Sequence, residues 1–325
     1  MRVEFTAYLV YDEFDENEME IIMNQEFFKQ LNDIMDKGRI LTEEPMKKHT
    51  TFRIGGPADY FVTPVNIKEV QDVISLCRRE DIPYYILGNG SNLLVGDQGY
   101  RGVIIQIYKS MNDIAVRGNK ITAQAGALLS RVAGAAYENS LTGFEFASGI
   151  PGTIGGAVVM NAGAYGGEMK DSILSATVLT AGNVVEKLYK DELELGYRTS
   201  VIAKKGHVVL EVELQLQPGD QREMKERLET LKNQRVSKQP LEYPSAGSTF
   251  KRPEGYFAGK LIQDAGLKGY RVGGAQVSEK HSGFVINKEQ ATAADVVSLM
   301  TAVIAKVQQQ TGVTLEPEVK RLGEF

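Results

Sequence analysis

Two glycine-rich stretches and three short polar strings are the parts of this chain whose residue types and spacing could do chemistry. The first is Gly88-Asn89-Gly90-Ser91-Asn92. Its two glycines let backbone approach a ligand closely, and the exposed N–H groups of such a turn can form an anion-binding nest suited to a pyrophosphate. It departs from the dinucleotide fingerprint, because Leu93 stands where a third glycine is required, and from a P-loop, because no Gly-Lys-Ser/Thr follows. Taken alone, the string reads as an ordinary turn. The second stretch runs from Ser148 to Glu168 and carries Gly149, Gly152, Gly155, Gly156, Gly163, Gly166 and Gly167, interleaved with Ile150, Ile154, Val158 and Val159. Backbone packed against a flat ring accounts for that pattern better than a solvated loop does.

The polar strings are Gly196-Tyr197-Arg198, Ser245-Ala246-Gly247-Ser248 and Leu315-Glu316-Pro317-Glu318. Singly, Arg198 reads as a surface charge, Ser248 as a turn residue and Glu318 as an exposed acid. The basic group Arg235, Lys238, Lys251 and Arg252 reads as a solvated face, yet it flanks Ser248. Other chemistries lack their parts. His49, His207, His281 and the single Cys77 make no metal-ligand cluster of recognisable spacing, and no G-x-S-x-G elbow occurs.

The elements that must position these residues follow from the pattern. A helix over Ile67 to Glu80 has Val70, Val73, Ile74 and Cys77 on one face, so the cysteine belongs to a core and no internal disulfide is possible. Strand-like Pro83 to Leu87 feeds the first glycine turn, and strand Val103 to Ile107 completes a βαβ-like unit. Strand Ile121 to Ala125, helix Leu128 to Asn139 and strands Ser175 to Thr180, Val184 to Leu188 and Val208 to Leu216 fill the middle. Asp220 caps a charged helix, Gln221 to Gln234. The last helix opens on a Thr292/Asp295 capping box and ends at Gly312.

At 325 residues, with 42% hydrophobic and 24% charged residues, the chain is a folded protein of two or three units. Its net charge of −5 argues against a nucleic-acid or anionic-membrane surface as the main partner. No apolar run is long enough to span a bilayer and no secretory leader opens the chain, so a cytoplasmic protein is expected. The acidic opening to residue 22 is read as an extension ahead of the fold.

Beyond these readings, an ordered set of strings resembles the UDP-N-acetylenolpyruvoylglucosamine reductases: Thr51-Phe52-Arg53-Ile54-Gly55-Gly56, LGNGSNLL, SGIPGTIGGAVVMNAGAYG, GYR, SAGSTF, LIQDAGLKGYRVGGAQVS and LEPEV. The resemblance runs through most of the chain. It implies an α+β fold with two FAD-binding subdomains of the vanillyl-alcohol oxidase type and a C-terminal substrate domain. The expected boundaries are 1–22 for the extension, 23–108 and 109–219 for the FAD-binding parts, and 220–325 for the substrate part, whose last residues return to the FAD domain.

The resemblance further implies FAD and NADPH as cofactors, a UDP-sugar as substrate and a monomeric enzyme of peptidoglycan precursor synthesis. It carries FAD over to Gly88, Asn89, Gly90, Ser91 and Asn92 and to Ser148, Gly149, Thr153, Gly155, Gly156, Ala157 and Asn161. It makes Ser248 the proton donor, sets Arg198 and Glu318 at the reacting carboxylate, and gives Tyr197, Arg235, Lys238 and His281 to the substrate. Lys251 or Lys260 would help the serine proton move. Only 50 positions separate Arg198 from Ser248, too few for the tyrosine-bearing flap of longer members, so the chain resembles the shorter subgroup. A flavin-dependent alcohol or sugar oxidase of the same cofactor fold is the alternative.

Overall fold

The structure, a computed structural model, describes the backbone from residue 16 and side chains from residue 25. Helix Glu16–Ile34 crosses the expected boundary at 22/23, and residues 1–15 of the expected extension lie outside the described residues.

The first sheet orders Ile40–Pro45, Pro57–Val62, Tyr100–Gln106 and Tyr84–Leu87. Its first pair is antiparallel and the others are parallel, the crossover being helix Ile67–Arg79. That helix starts where Asn66 accepts the Glu69 N–H at 2.9 Å, and it buries Val70, Val73, Ile74, Leu76 and Cys77. The Cys77 thiol is pushed up to about 12 by burial, which suits a core side chain rather than a nucleophile. The second sheet is antiparallel, in the order Val185–Tyr189, Ile173–Leu179, Val208–Gln215, Lys120–Gln124 and Ile114–Arg117. Its buried face and that of the first sheet share one core, with Val73 and Ile105 in the same cluster as Ile121 and Leu210. The expected boundary at 108/109 therefore separates two sheets but not two cores.

The third sheet, Ser245–Ser248, Phe284–Asn287, Ala275–Val277 and Arg271–Val272, is antiparallel and has a separate core under helices Ala258–Asp264 and Ala293–Thr311. Thr292 and Asp295 form the expected capping box, with Asp295 N–H donating to Thr292 Oγ1 at 3.0 Å and Thr292 N–H to Asp295 Oδ2 at 3.1 Å. Gly312 at φ +74° ends the helix.

Two features differ from expectation. Helix Gln221–Lys238, capped by Asp220 as expected, runs one turn beyond residue 234 and so carries both Arg235 and Lys238. It packs on helix Leu129–Glu138 and the turn Glu145–Ala147 of the middle unit, not on the C-terminal sheet. Strand Lys320–Leu322 pairs in parallel with Leu93–Val95, directly after the first glycine turn.

Candidate active site

Ser248 closes its strand one residue after Gly247, whose φ of +75° turns the chain as few other residues could. The next residue, Thr249, is the joint of the site. Its N–H donates to the Gly283 carbonyl at 2.8 Å, its carbonyl accepts the Glu318 N–H at 2.8 Å, and its Oγ1 accepts the Val285 N–H at 2.9 Å. Backbone hydrogen bonds thus lock Ser248, Gly283 and Glu318 together from three segments distant in sequence.

Arg198 arrives from the middle unit. It holds φ +55°, a left-handed conformation that costs a non-glycine residue energy and persists only when its surroundings enforce it. The enforcement comes from Asn161, which is buried. Its Nδ2 donates to the Gly196 carbonyl at 3.1 Å and to Glu168 Oε2 at 2.7 Å, while its Oδ1 accepts the Lys170 N–H at 2.9 Å. Asn161 was expected to bind cofactor. Its side chain is committed to the turn that presents Arg198, and the residue lines none of the cavities described here.

Arg198 Nε donates to Glu318 Oε1 at 2.7 Å. Burial pushes the Glu318 carboxyl above the usual glutamate range, and Arg198, then Lys251, pull it back. Around this pair lies a cavity of about 540 Å³, whose walls include Tyr197, Ser248, Lys260, His281 and Ser282. His281 Nδ1 accepts the Gly283 N–H at 3.1 Å, and burial lowers its pKa, so the ring faces the cavity neutral. Tyr197 bridges the units, its hydroxyl accepting the Arg252 N–H at 2.9 Å. Lys251 is paired with Glu316 and Lys260 with Asp264.

Arg252, Phe257, Gln263 and Lys280 also line the cavity and were not singled out from the sequence as ligand contacts. Arg252 stacks its guanidinium 4.0 Å from the Phe257 ring centre. The spacing Arg-x₄-Phe, which lets the two meet across a turn, was the available signal.

The cofactor strings divide between two further cavities. Gly88 to Asn92, Thr153, Gly156 and Ala157 line one of about 210 Å³, with Lys320 at its wall. A Cβ on Gly88 would lie 2.5 Å from Thr153 Oγ1 and one on Gly90 would lie 2.1 Å from the His49 carbonyl oxygen, so both glycines let loops close on each other. A Cβ on Gly156 would meet only Thr153 Oγ1, at 3.4 Å, and would otherwise enter open space. A backbone-lined cradle that a side chain would fill, with a lysine beside it, fits the pyrophosphate and flat ring of FAD.

Gly155, expected to touch cofactor, instead packs its α-carbon against Ala125, where a Cβ would lie 2.7 Å from the alanine methyl. Ser148 and Gly149 line the other cavity, of about 400 Å³, together with Tyr165 and Arg235. Arg235 lies so close over Gly149 that a Cβ there would be 2.7 Å from its Nε. Neither Arg235 nor the exposed Lys238 reaches the cavity of Ser248, because the helix that carries them packs on the middle unit.

Comparison with known proteins agrees with this division. The family described as FAD binding domain matches residues 58–188, and that described as UDP-N-acetylenolpyruvoylglucosamine reductase, C-terminal domain, matches residues 239–322, starting just after the helix that carries Arg235. A UDP-N-acetylenolpyruvoylglucosamine reductase of Agathobacter rectalis is 55% identical over 93% of this chain and 100% of its own length. One of Clostridium perfringens is 56% identical over 93% and 99%. The crystal structure of UDP-N-acetylenolpyruvylglucosamine reductase from Thermus caldophilus superposes with a TM-score of 0.76 at 36% identity, covering 87% of this chain and 99% of that one. With an FAD-type cradle in one half, a cavity where Arg198 of the middle unit meets Ser248 and Glu318, and relatives that match along nearly their whole length, the chain belongs to the UDP-N-acetylenolpyruvoylglucosamine reductase family.

Proposed function

We propose that this chain reduces UDP-N-acetylglucosamine enolpyruvate to UDP-N-acetylmuramate, using NADPH as reductant and FAD as cofactor. The observation that carries the reading is the convergence of Ser248, Arg198 and Glu318 on one cavity, from segments far apart in the chain. FAD, when bound, would carry hydride from NADPH to the terminal carbon of the enolpyruvyl group. The residues answer the charge this leaves on the adjacent carbon and its carboxylate. Arg198 binds that carboxylate and its attraction grows as negative charge develops, an effect worth several kcal/mol in enclosed sites. Glu318, its carboxyl lifted by burial, holds a proton more readily than an exposed acid and shares it with the same oxygens. Ser248 gives the carbon its proton, held in place through the backbone bonds of Thr249.

Gly88 to Asn92, Thr153, Gly156 and Ala157 hold the cofactor in this reading, with Ser148 and Gly149 at the neighbouring cavity. His281 and Tyr197 contact substrate from the cavity wall. For the diphosphate we retain Arg235 and Lys238; in support, Arg235 has no ion-pair partner among the described residues and burial lowers its pKa, leaving a cation that an anion would stabilise. The same reading makes the enzyme a cytoplasmic monomer feeding cell-wall synthesis, and so cell shape and division. No helix among the described residues is long and apolar enough to cross a membrane.

The test is direct. The purified protein should carry a visible flavin spectrum and, without oxygen, form one UDP-N-acetylmuramate per NADPH consumed. A folded protein that refuses FAD overturns the reading. NADPH oxidation that needs oxygen and ignores the enolpyruvyl sugar turns it toward the oxidase alternative.

A further inference from the structure

Ser282 is buried, at 6% exposure, and its Oγ has no hydrogen-bond partner among the described residues. Other buried oxygens share that condition, namely Asn32 Oδ1, Ser110 Oγ and Asn183 Oδ1, but Ser282 also lines the cavity of Ser248, Arg198 and Glu318. A buried hydroxyl without a partner costs stability that an alanine of the same packing would not. The loop does not need that hydroxyl for its own shape. Ser278 Oγ accepts the N–H groups of Lys280 at 3.1 Å and His281 at 3.2 Å, and His281 Nδ1 accepts that of Gly283. The Gly283 carbonyl is in turn held by Thr249. The segment is thus fully tied on both sides of Ser282 while the hydroxyl itself is idle.

The surroundings define what it would meet. Arg198, Arg252, Lys260 and Lys280 line the same cavity; Lys260 pairs with Asp264, Lys280 with Glu242 at 3.7 Å and Arg198 with Glu318, and Arg252 has no ion pair among the described residues, a lining that suits an occupant with anionic oxygens. A hydroxyl donates to such an oxygen, and no hydrogen bond among the described residues holds Oγ where it is.

We propose that Ser282 is a substrate-positioning residue that donates a hydrogen bond to the carboxylate of the UDP-sugar, the anionic group that the functional reading places in this cavity. The inference rests on the functional reading above and adds to it a group assigned from burial and an unmet hydrogen bond.

The test compares the FAD-loaded parent with Ser282→Ala by calorimetric binding of two sugars. UDP-N-acetylmuramate carries the carboxylate and UDP-N-acetylglucosamine does not. The variant should bind UDP-N-acetylmuramate roughly 10- to 100-fold more weakly, the value of one hydrogen bond to a charged acceptor. Without sugar it should melt at or above the parent's temperature, since the unmet hydroxyl is gone. Near-isosteric Ser282→Cys, with a weak donor, should fall between them. Weakening of UDP-N-acetylmuramate alone is the expected result, and equal weakening of both sugars overturns the assignment to the carboxylate. Parent-like affinity of Ser282→Ala for both sugars overturns the inference and leaves the functional reading standing. A parent that binds neither sugar overturns both.

Discussion

Asn92 and Glu318 stand 226 residues apart and are joined by a hydrogen bond from the Asn92 side-chain Nδ2 to the Glu318 carbonyl oxygen, at 3.3 Å. Two residues further on, the Lys320 N–H donates to the Asn92 carbonyl at 3.1 Å. The turn that fits a pyrophosphate and the acid that pairs with Arg198 are therefore parts of one bonded unit. In the proposed function, the spacing of cofactor and reacting carboxylate rests on this unit.

The Arg198–Glu318 pair gives a prediction with a definite sign. Burial raises the folded-state pKa of Glu318, so its contribution to stability is fully present while the acid is protonated in both states and is lost as pH rises through the folded value. Arg198 limits that loss. In Arg198→Met the pull is gone, so the stability gap between parent and variant should be narrow near about pH 4 and widen to about 3 kcal/mol or more by neutral pH. Urea unfolding across that range reads it. A gap independent of pH would mean that the two charges do not support each other.

Ser248→Ala separates the two halves of the cycle. NADPH oxidation by the enzyme without sugar needs no proton from this residue and should keep its rate. Turnover with the enolpyruvyl sugar should fall by roughly 10² to 10⁴-fold, the usual loss with a general acid. Rapid mixing resolves both. An unchanged sugar-dependent rate would return Ser248 to the status of a turn residue.

Gly155 and Gly156 are neighbours with opposite expected outcomes. In Gly156→Leu the side chain projects into the 210 Å³ cavity, so the protein should fold with a near-parental melting temperature and fail to take up FAD. In Gly155→Val the new carbons collide with Ala125, and stability should drop by about 1 to 3 kcal/mol or more. Flavin fluorescence titration and thermal melts on the two variants check the contrast.

Asp97 ties the cofactor half to the substrate half. Its Oδ1 accepts the Ala293 N–H at 2.7 Å and its Oδ2 that of Ala294 at 3.0 Å, capping the long C-terminal helix from outside its own unit. Asp97→Ala should cost about 1 to 2 kcal/mol in urea unfolding, while Thr292 still caps the helix locally. An undiminished stability would show that the helix start does not depend on the other half.

What could be read in the sequence was local. The capping box at Thr292, the Asp220 cap, the apolar face ending at Cys77 and the turn after Leu87 each depend on residues a few positions apart, and each stands as expected. Thr249 could not be seen as a joint, because its three partners come from strands and loops far along the chain. The distinction between Gly155 and Gly156 was invisible for a related reason: both are glycine, and only the packing of Ala125 decides which one faces the cradle. Arg235 and Lys238 were grouped with Ser248 by nearness in sequence, whereas the helix that carries them packs on the middle unit and turns Arg235 over Gly149. Asn161 was given to the cofactor by the family resemblance, and its partners at Glu168, Lys170 and Gly196 were needed to show its side chain holding a turn.

The late strand Lys320–Leu322 sets the order in which a newly made molecule becomes able to work. During synthesis Leu93–Val95 leaves the ribosome first, and at roughly 5 to 20 residues per second its partner strand follows on the order of ten to forty seconds later. Through that interval the edge beside Asn92 is unpaired. The turn from Gly88 to Asn92 gains this support only when Lys320–Leu322 threads back. A chain that stops before Lys320 lacks the strand that pairs beside Asn92.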